Sequence, residues 1–340
     1  MLAVAAVDLL AGPEVGLLAL FALGPAFACI TGSVRRALLV GTVAFLLCLG
    51  IASFDGLLHT RRAAVALATV LGATAAAALA ATVRRRFERE LADIRSVAEA
   101  AQRTLLRPVP RQAGRMRIAV SYTSAASAAR IGGDLYEVVP GPGGTTRVIV
   151  GDVQGKGLEA VETAAVVLGA FREAAPDEER LEDVGGRLER ALNRRLTGEE
   201  FVTAVIAEVD GDHLVTLLNY GHPAPLIVRP DGDVAFADPP VAAPPLGLAA
   251  LGPIRPSAYE ISLTPGDQML FYTDGVSEAR DSGGVFYPLE HRAHLLRRAD
   301  PDVALEAVRL DLVTHAAGPL GDDAAMLLLR YRDDAPELPD

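Results

Sequence analysis

Three stretches without a charged side chain fill most of the first 83 residues: Val15 to Val34 (20 residues), Ala37 to Phe54 (18) and Ala63 to Val83 (21). A bilayer core is crossed by about 20 apolar residues in helix, because no water is present there to satisfy free backbone N–H and C=O groups. The pattern predicts a membrane anchor over 1–83 with about three transmembrane helices, the first kinked at Gly24-Pro25. The apolar stub Met1–Leu10 is interrupted by Asp8, and reads as an interfacial piece or the remnant of a fourth span. A cleaved signal peptide does not account for the segment, because two more spans follow the first. With 51% hydrophobic residues in 340 the chain is not disordered, and 5% aromatics without Trp exclude a barrel with aromatic girdles.

Charge divides the chain further. Residues 84–107 hold seven Arg against four acids, whereas 108–340 hold 21 basic against 36 acidic residues, a net −15. The cluster Arg84-Arg85-Arg86 with Arg89 is the strongest basic flank of any span, and the positive-inside rule places it, and the body after it, in the cytoplasm. A multi-pass protein of the cell membrane follows, with Arg61-Arg62 lying on the outer side against the rule. So acidic a body repels a nucleic-acid backbone but can concentrate divalent cations. The only cysteines, Cys29 and Cys48, both sit in apolar runs, which excludes a disulfide framework and argues against a thiolate zinc site. Lys156 is the sole lysine beside 31 arginines, a bias that fits a GC-rich bacterial genome.

Between anchor and body, Phe87, Leu91, Ile94, Ala98, Ala101 and Leu105 repeat at 4-3-4-3-4, and Pro108 and Pro110 end the pattern. The connector 84–107 is therefore a helix. It either lies on the next domain or forms a short parallel coiled coil that pairs two protomers into a homodimer.

From Met116 the period changes to that of strands: Met116–Tyr122, Leu135–Val139, Thr146–Val153, Phe201–Val209, Leu214–Tyr220, Leu226–Val228, Val234–Phe236, Gln268–Thr273 and Ala324–Tyr331. Helices are expected at Leu158–Ala175, Arg180–Leu196, Leu289–Arg298 and Pro301–Ala316. Hairpin-linked strands with helices in blocks predict an α+β body of antiparallel sheets. Four aspartates stand out at strand ends or tight turns beside glycine: Asp134 in Gly132-Gly133-Asp134, Asp152 in Gly151-Asp152-Val153, Asp274 in Thr273-Asp274-Gly275, and Asp322 in Gly321-Asp322-Asp323. Carboxylates without His or Cys suit hard cations, and several meeting in one place need a metal to neutralise them. Each Asp-Gly pair taken singly is also an ordinary turn. A P-loop is excluded in Gly151–Gly157, because Val150 stands where the first glycine belongs and Gly157 where Ser or Thr would follow the lysine.

The ordered blocks Ile131-Gly-Gly-Asp-Leu-Tyr136, Gly151-Asp-Val-Gln-Gly-Lys-Gly-Leu158, Phe201-Val-Thr203, Gly221-His-Pro223, Pro245-Leu-Gly247, Pro265-Gly-Asp267, Tyr272-Thr-Asp-Gly-Val-Ser-Glu-Ala279 and Gly321-Asp-Asp323 resemble the SpoIIE-type branch of the PPM metal-dependent serine/threonine phosphatases. The match spans roughly residues 115–332, within a phosphatase domain of 108–333 and a tail of 334–340. The resemblance implies an α-β-β-α sandwich with two Mn²⁺ or Mg²⁺ ions at one end. It implies that Asp152 bridges both ions and that the Val153 carbonyl is a further ligand. Asp134 would bind one ion, and Asp274 and Asp322 the other, with Asp323 behind them. It implies hydrolysis of phosphoserine or phosphothreonine by metal-activated water, with an anti-sigma-factor antagonist as the kind of phosphoprotein partner. The alternative is a non-catalytic membrane-tethered module that binds such a partner. Glu137, Tyr220, Phe286-Tyr287-Pro288 and Ala325 depart from the family pattern, and His222 before Pro223 reads as structural rather than as a general acid.

Overall fold

The computed structural model describes residues 17–31, 33–54, 56–124, 132–195, 200–210, 213–248 and 254–332. Its contacts divide the chain into two units, Met1–Ile94 and Arg95–Asp340. The stub Met1–Leu10 lies outside the described residues.

The first unit is built from α1 (Leu23–Thr31), α2 (Val34–Phe54) and the long α3 (Arg61–Leu105), which continues into the second. The second and third uncharged runs each lie in a helix long and apolar enough to cross a bilayer. The first run does not form one helix over its described part: a 3₁₀ segment, Leu17–Ala22, precedes α1. Pro25 lies in the first turn of α1, and with no N–H it cannot carry the α-helical ladder back to Phe21. Within the uncharged runs the helices are apolar all round. Ala44, Cys48, Ala66 and Val70 pack inward while Leu39, Phe54, Val65 and Leu79 stay exposed.

Helix α3 runs unbroken for 45 residues, about 68 Å at 1.5 Å per residue, through both the third apolar run and the connector. Residue 84 thus marks a change of charge and not a break in structure. The helix stops at Leu105, just ahead of Pro108 and Pro110. Of the heptad seam, the side chains of Leu91, Ile94, Ala98 and Ala101 lie outside the described residues, Phe87 is exposed, and Leu105 packs within the chain against Val161.

The second unit has eleven strands among the described residues: β1 (Gln112–Ala113), β2 (Met116–Thr123), β3 (Leu135–Pro140), β4 (Thr146–Val153), β5 (Val202–Val209), β6 (Leu214–Tyr220), β7 (Leu226–Val228), β8 (Val234–Phe236), β9 (Tyr259–Ser262), β10 (Gln268–Tyr272) and β11 (Ala324–Tyr331). They form a six-stranded sheet in the order β1-β2-β11-β10-β7-β8 and a five-stranded sheet in the order β3-β4-β5-β6-β9, antiparallel throughout. Ile118, Val150, Val205, Leu217, Phe271 and Leu327 fill the space between the sheets. Helices α4 (Leu158–Asp177) and α5 (Leu181–Asn193) cover the five-stranded sheet through Leu168, Phe171 and Leu188. After the single turn α6 (Asp274–Ser277) and the short α7 (Leu289–Arg292), α8 (Pro301–His315) covers the other sheet through Leu305, Val308 and Leu312. Because both faces of each sheet are covered, central strands read as unbroken apolar runs such as Val148-Ile149-Val150 and Leu327-Leu328-Leu329.

Two features close the layers. Asp300 caps α8, accepting from Asp302 N at 2.9 Å and Val303 N at 3.2 Å, with Pro301 at the first helical position. Arg147, fully buried on β4, donates to the carbonyls of Ala175, Glu178 and Glu179 at 2.6–3.0 Å and to Glu208 at 2.5 Å. It thereby satisfies one open carbonyl in the last turn of α4 and two just past its end.

Most strands predicted from the sequence are present to within a residue or two. Strands β1 and β9 were not anticipated; both are short edge strands, and β9 pairs only four residues with β6. The helix expected at Leu289–Arg298 is α7 followed by a 3₁₀ turn, Ala293–Arg297. The helix expected at Arg180–Leu196 ends at Asn193.

Candidate functional site

Sheet register decides where the acidic blocks meet. Asp134 stands directly before β3, and Leu135 pairs with Gly151, so Asp134 lies beside Asp152 on β4. In the other sheet Tyr272 pairs with Met326, which brings Asp274, just past β10, next to Asp322 and Asp323, just ahead of β11. Both groups fall at the same end of the sandwich. Two glycines permit the approach. A Cβ on Gly133 would come within 2.6 Å of the Val153 carbonyl, and one on Gly275 within 1.7 Å of the Asp323 carbonyl.

Hydrogen bonds stitch the two groups together. Thr273, wholly buried, donates from Oγ1 to Asp134 Oδ2 at 2.7 Å and accepts from Ala325 N at 3.0 Å, so one hydroxyl ties β10 and β11 to the carboxylate of the opposite sheet. Tyr122 on β2 donates to Asp323 Oδ2, which also accepts from Gly132 N at 3.2 Å. Behind Tyr122 stands Gln102, buried in the last turns of α3. Its Nε2 donates to Tyr122 Oη at 2.7 Å and to the Gly132 carbonyl at 3.1 Å. Arg172 holds the end of the same helix, donating to the Leu105 carbonyl at 2.6 Å, and pairs with the buried Glu137. The departure at Glu137 is thus accounted for by an ion pair.

The electrostatics are those of crowded carboxylates. Burial first, then the charge of Asp152, pushes the Asp134 carboxyl well above the usual range, against the Thr273 bond, which favours the anion. Asp152 is pushed up to about 7, chiefly by burial and then by Asp274, while Lys156 opposes the rise. The two carboxyls titrate as a coupled pair, both raised chiefly by burial. Asp274 is raised by burial, by Glu278 and by Asp322. Lys156 meets Asp322 at 2.5 Å, leaving that carboxylate part-exposed at the rim.

All four sequence-predicted aspartates and the Val153 carbonyl therefore lie in one place. Among the described residues no three Asp, Glu, His or Cys side chains converge closely enough to hold an ion as they stand. The donor set nevertheless fits hard divalent cations. It is all oxygen, and burial together with neighbouring carboxylates disfavours the charged forms, a cost that a cation would relieve.

His222 is also near, but both ring nitrogens are engaged. Nε2 lies 3.1 Å from the Tyr272 carbonyl, to which it must donate, and Nδ1 then accepts from Thr203 Oγ1 at 3.0 Å. Burial lowers its pKa to about 4, so the ring is neutral and links the two sheets. The structural reading of His222 fits this geometry. Sequence reasoning passed over Thr273, Tyr122 and Gln102. Thr273 stood inside one of the family-like blocks, whereas Gln102 carried no signal beyond being a polar residue beside an apolar seam.

A sequence profile described as Stage II sporulation protein E (SpoIIE) matches residues 142–332. Among solved structures, the SiaA PP2C domain of Pseudomonas aeruginosa aligns with a TM-score of 0.57 at 18% identity, over 75% of this chain and 100% of that one. The RsbU and RsbW domains of Rv1364c from Mycobacterium tuberculosis align with a TM-score of 0.54 at 24% identity, over 65% of this chain and 61% of that one. The PP2C phosphatase domain with a regulatory fragment of SpoIIE from Bacillus subtilis aligns with a TM-score of 0.53 at 16% identity, over 65% of each chain. This chain thus spans somewhat under two thirds of the latter two. Identities this low speak to the fold.

Proposed function

The chain belongs to the SpoIIE family, and on that premise we propose that it is a membrane-anchored, metal-dependent phosphatase of phosphoserine and phosphothreonine in proteins. The observation that carries the proposal is the meeting of Asp134 and Asp152 from one sheet with Asp274, Asp322 and Asp323 from the other, where burial and neighbouring carboxylates raise the carboxyls of Asp134, Asp152 and Asp274. Two Mn²⁺ or Mg²⁺ ions would be held there, with Asp152 shared, Asp134 and the Val153 carbonyl on one side and Asp274 and Asp322 on the other. When bound, the ions supply the positive charge that acidifies an attacking water and neutralises phosphoryl oxygens.

The protein's own groups do the positioning. Thr273 fixes one oxygen of Asp134, Tyr122 and Gly132 fix Asp323, and Lys156 offers an ammonium beside Asp322 that can meet a phosphoryl oxygen. His222 takes no part in proton transfer, because its nitrogens are already engaged. Helices α2 and α3 are read as spans, and the arginine cluster at residues 84–89 as the cytoplasmic flank that puts the catalytic unit inside the cell. The substrate class is a phosphoprotein of bacterial signalling, with an anti-sigma-factor antagonist as the leading candidate and pairing of two chains along 84–107 as a mode of assembly.

The test is phosphate release from a phosphoserine peptide by the full chain in detergent, with and without Mn²⁺, beside Asp274→Asn. Mn²⁺-dependent turnover that vanishes in the variant is expected. Undiminished turnover in Asp274→Asn would reject the site. A folded, Mn²⁺-binding chain without turnover would favour the binding module instead.

A further inference from the structure

Residues 108–340 carry a net −15, yet one cleft in this unit has the opposite sign. On β2 and β11, Met116, Ile118, Leu329 and Tyr331 turn into the core between the sheets, so Arg117 and Arg330 lie on the other face, directly opposite each other. Two residues further, Arg332 N donates to the Arg115 carbonyl at 3.0 Å, bringing a second pair of arginines level. Like charges opposed on neighbouring strands are destabilising.

Arg117, Arg330 and Arg332 line a cleft of about 350 Å³ with Tyr331, Pro230 and Pro265, and no acidic side chain among the described residues lines it. None of these three arginines forms an ion pair with a described residue. Arg330 is fixed in place by donating to the Arg298 and Ala299 carbonyls at 2.7 and 2.6 Å. The neighbouring acids are engaged elsewhere: Asp267 with Arg229 at 2.9 Å and Thr264 N at 2.7 Å, and Asp300 with the cap of α8.

We propose that this cleft is a binding site for a phosphate group, either the free ion or a phosphate monoester. Guanidinium forks match carboxylate and phosphate alike. Three of them together match the charge of about −2 on a phosphate monoester better than the single charge of a carboxylate. The site is separate from the carboxylate centre. Asp323 directly precedes β11 and Arg330 is its seventh residue, so seven steps of strand set them about 23 Å apart. Nothing in the proposal depends on the chain being a phosphatase.

The experiment is calorimetric titration of the full chain in detergent, with EDTA present to keep cations out of the carboxylate centre. The probes are inorganic phosphate, dihexanoyl phosphatidic acid and, as control, dihexanoyl phosphatidylcholine. Saturable binding of one anion per chain is expected, weakened at least tenfold in Arg117→Gln/Arg332→Gln, partly restored in Arg117→Lys/Arg332→Lys, and unchanged in Asp152→Asn. Binding of inorganic phosphate as well as phosphatidic acid assigns the free ion, and binding of phosphatidic acid alone assigns a lipid headgroup. Binding of neither probe, or equal binding by the glutamine variant, overturns the proposal. So does binding that emerges only in Asp333→Asn/Asp334→Asn, which would assign the cleft to the chain's own carboxylates.

Discussion

Gln102 offers the sharpest test of how the site is held, because it belongs to α3 and yet reaches the loop that carries Asp134. Gln102→Leu keeps the volume and removes two hydrogen bonds, to Tyr122 Oη and to the Gly132 carbonyl. The bond to Tyr122 contributes roughly 1 kcal/mol net, and leaving the buried Gly132 carbonyl without its donor costs roughly 1–3 kcal/mol, so the loss is about 2–4 kcal/mol. In a unit of this size each kcal/mol lowers the melting temperature by roughly 2–4 °C, which predicts a fall of roughly 5–15 °C in thermal melting followed by near-ultraviolet circular dichroism. Gly132 also donates to Asp323 and adjoins Gly133-Asp134, so Mn²⁺ affinity should fall as well. Gln102→Glu should be worse than Gln102→Leu, because a carboxylate would face a carbonyl oxygen and the nearby Asp323. A chain begun at residue 108 lacks Gln102 and the Leu105 carbonyl that Arg172 caps, and should share the defect. An unchanged melting temperature and unchanged Mn²⁺ affinity in Gln102→Leu would refute the reasoning.

Three further outcomes follow from the same contacts. Thr273→Val, nearly isosteric, leaves Asp134 Oδ2 and Ala325 N unpaired; melting should show a loss of about 2–4 kcal/mol, and calorimetry a weaker hold on Mn²⁺ as the Asp134 carboxyl rises further. Arg147→Met strips three carbonyls and Glu208 of their donor and should destabilise the unit by about 3–5 kcal/mol in thermal or chemical unfolding. For His222 the folded pKa of about 4 lies below the unfolded value of 6.5. The unfolded chain therefore takes up a proton first as pH falls, and stability present above pH 6.5 is lost down to pH 4, by about 3 kcal/mol in all. His222→Gln should remove that slope from the pH dependence of the melting temperature, and an unaltered slope would show that the ring titrates normally.

Legibility of the fold followed the physics of each segment. Val148-Ile149-Val150 and Leu327-Leu328-Leu329 fall in strands read from the sequence, the helix expected from Pro301 starts there, and Pro108 and Pro110 marked a helix stop. Edge strands β1 and β9 were silent, since two to four half-buried residues carry little alternation. In Leu17–Thr31 the apolar run and the break near Gly24-Pro25 were both legible, but not the 3₁₀ geometry of the residues ahead of it. At the site, glycine-flanked aspartates were readable because a close approach of backbone demands glycine, as Gly133 and Gly275 show. The supporting groups were not. Thr273, Tyr122 and Gln102 act through partners 20 to 201 residues distant, which only the register of β2, β10 and β11 brings together.

The central claim is that Asp152 stands where two cations meet. Its most direct test is the Mn²⁺ stoichiometry of the full chain, measured together with phosphopeptide hydrolysis, in the native protein and in Asp152→Asn. Two bound ions with turnover in the native chain, and loss of both turnover and at least one ion in a folded Asp152→Asn, is the predicted result. Undiminished hydrolysis and two ions in Asp152→Asn would contradict it.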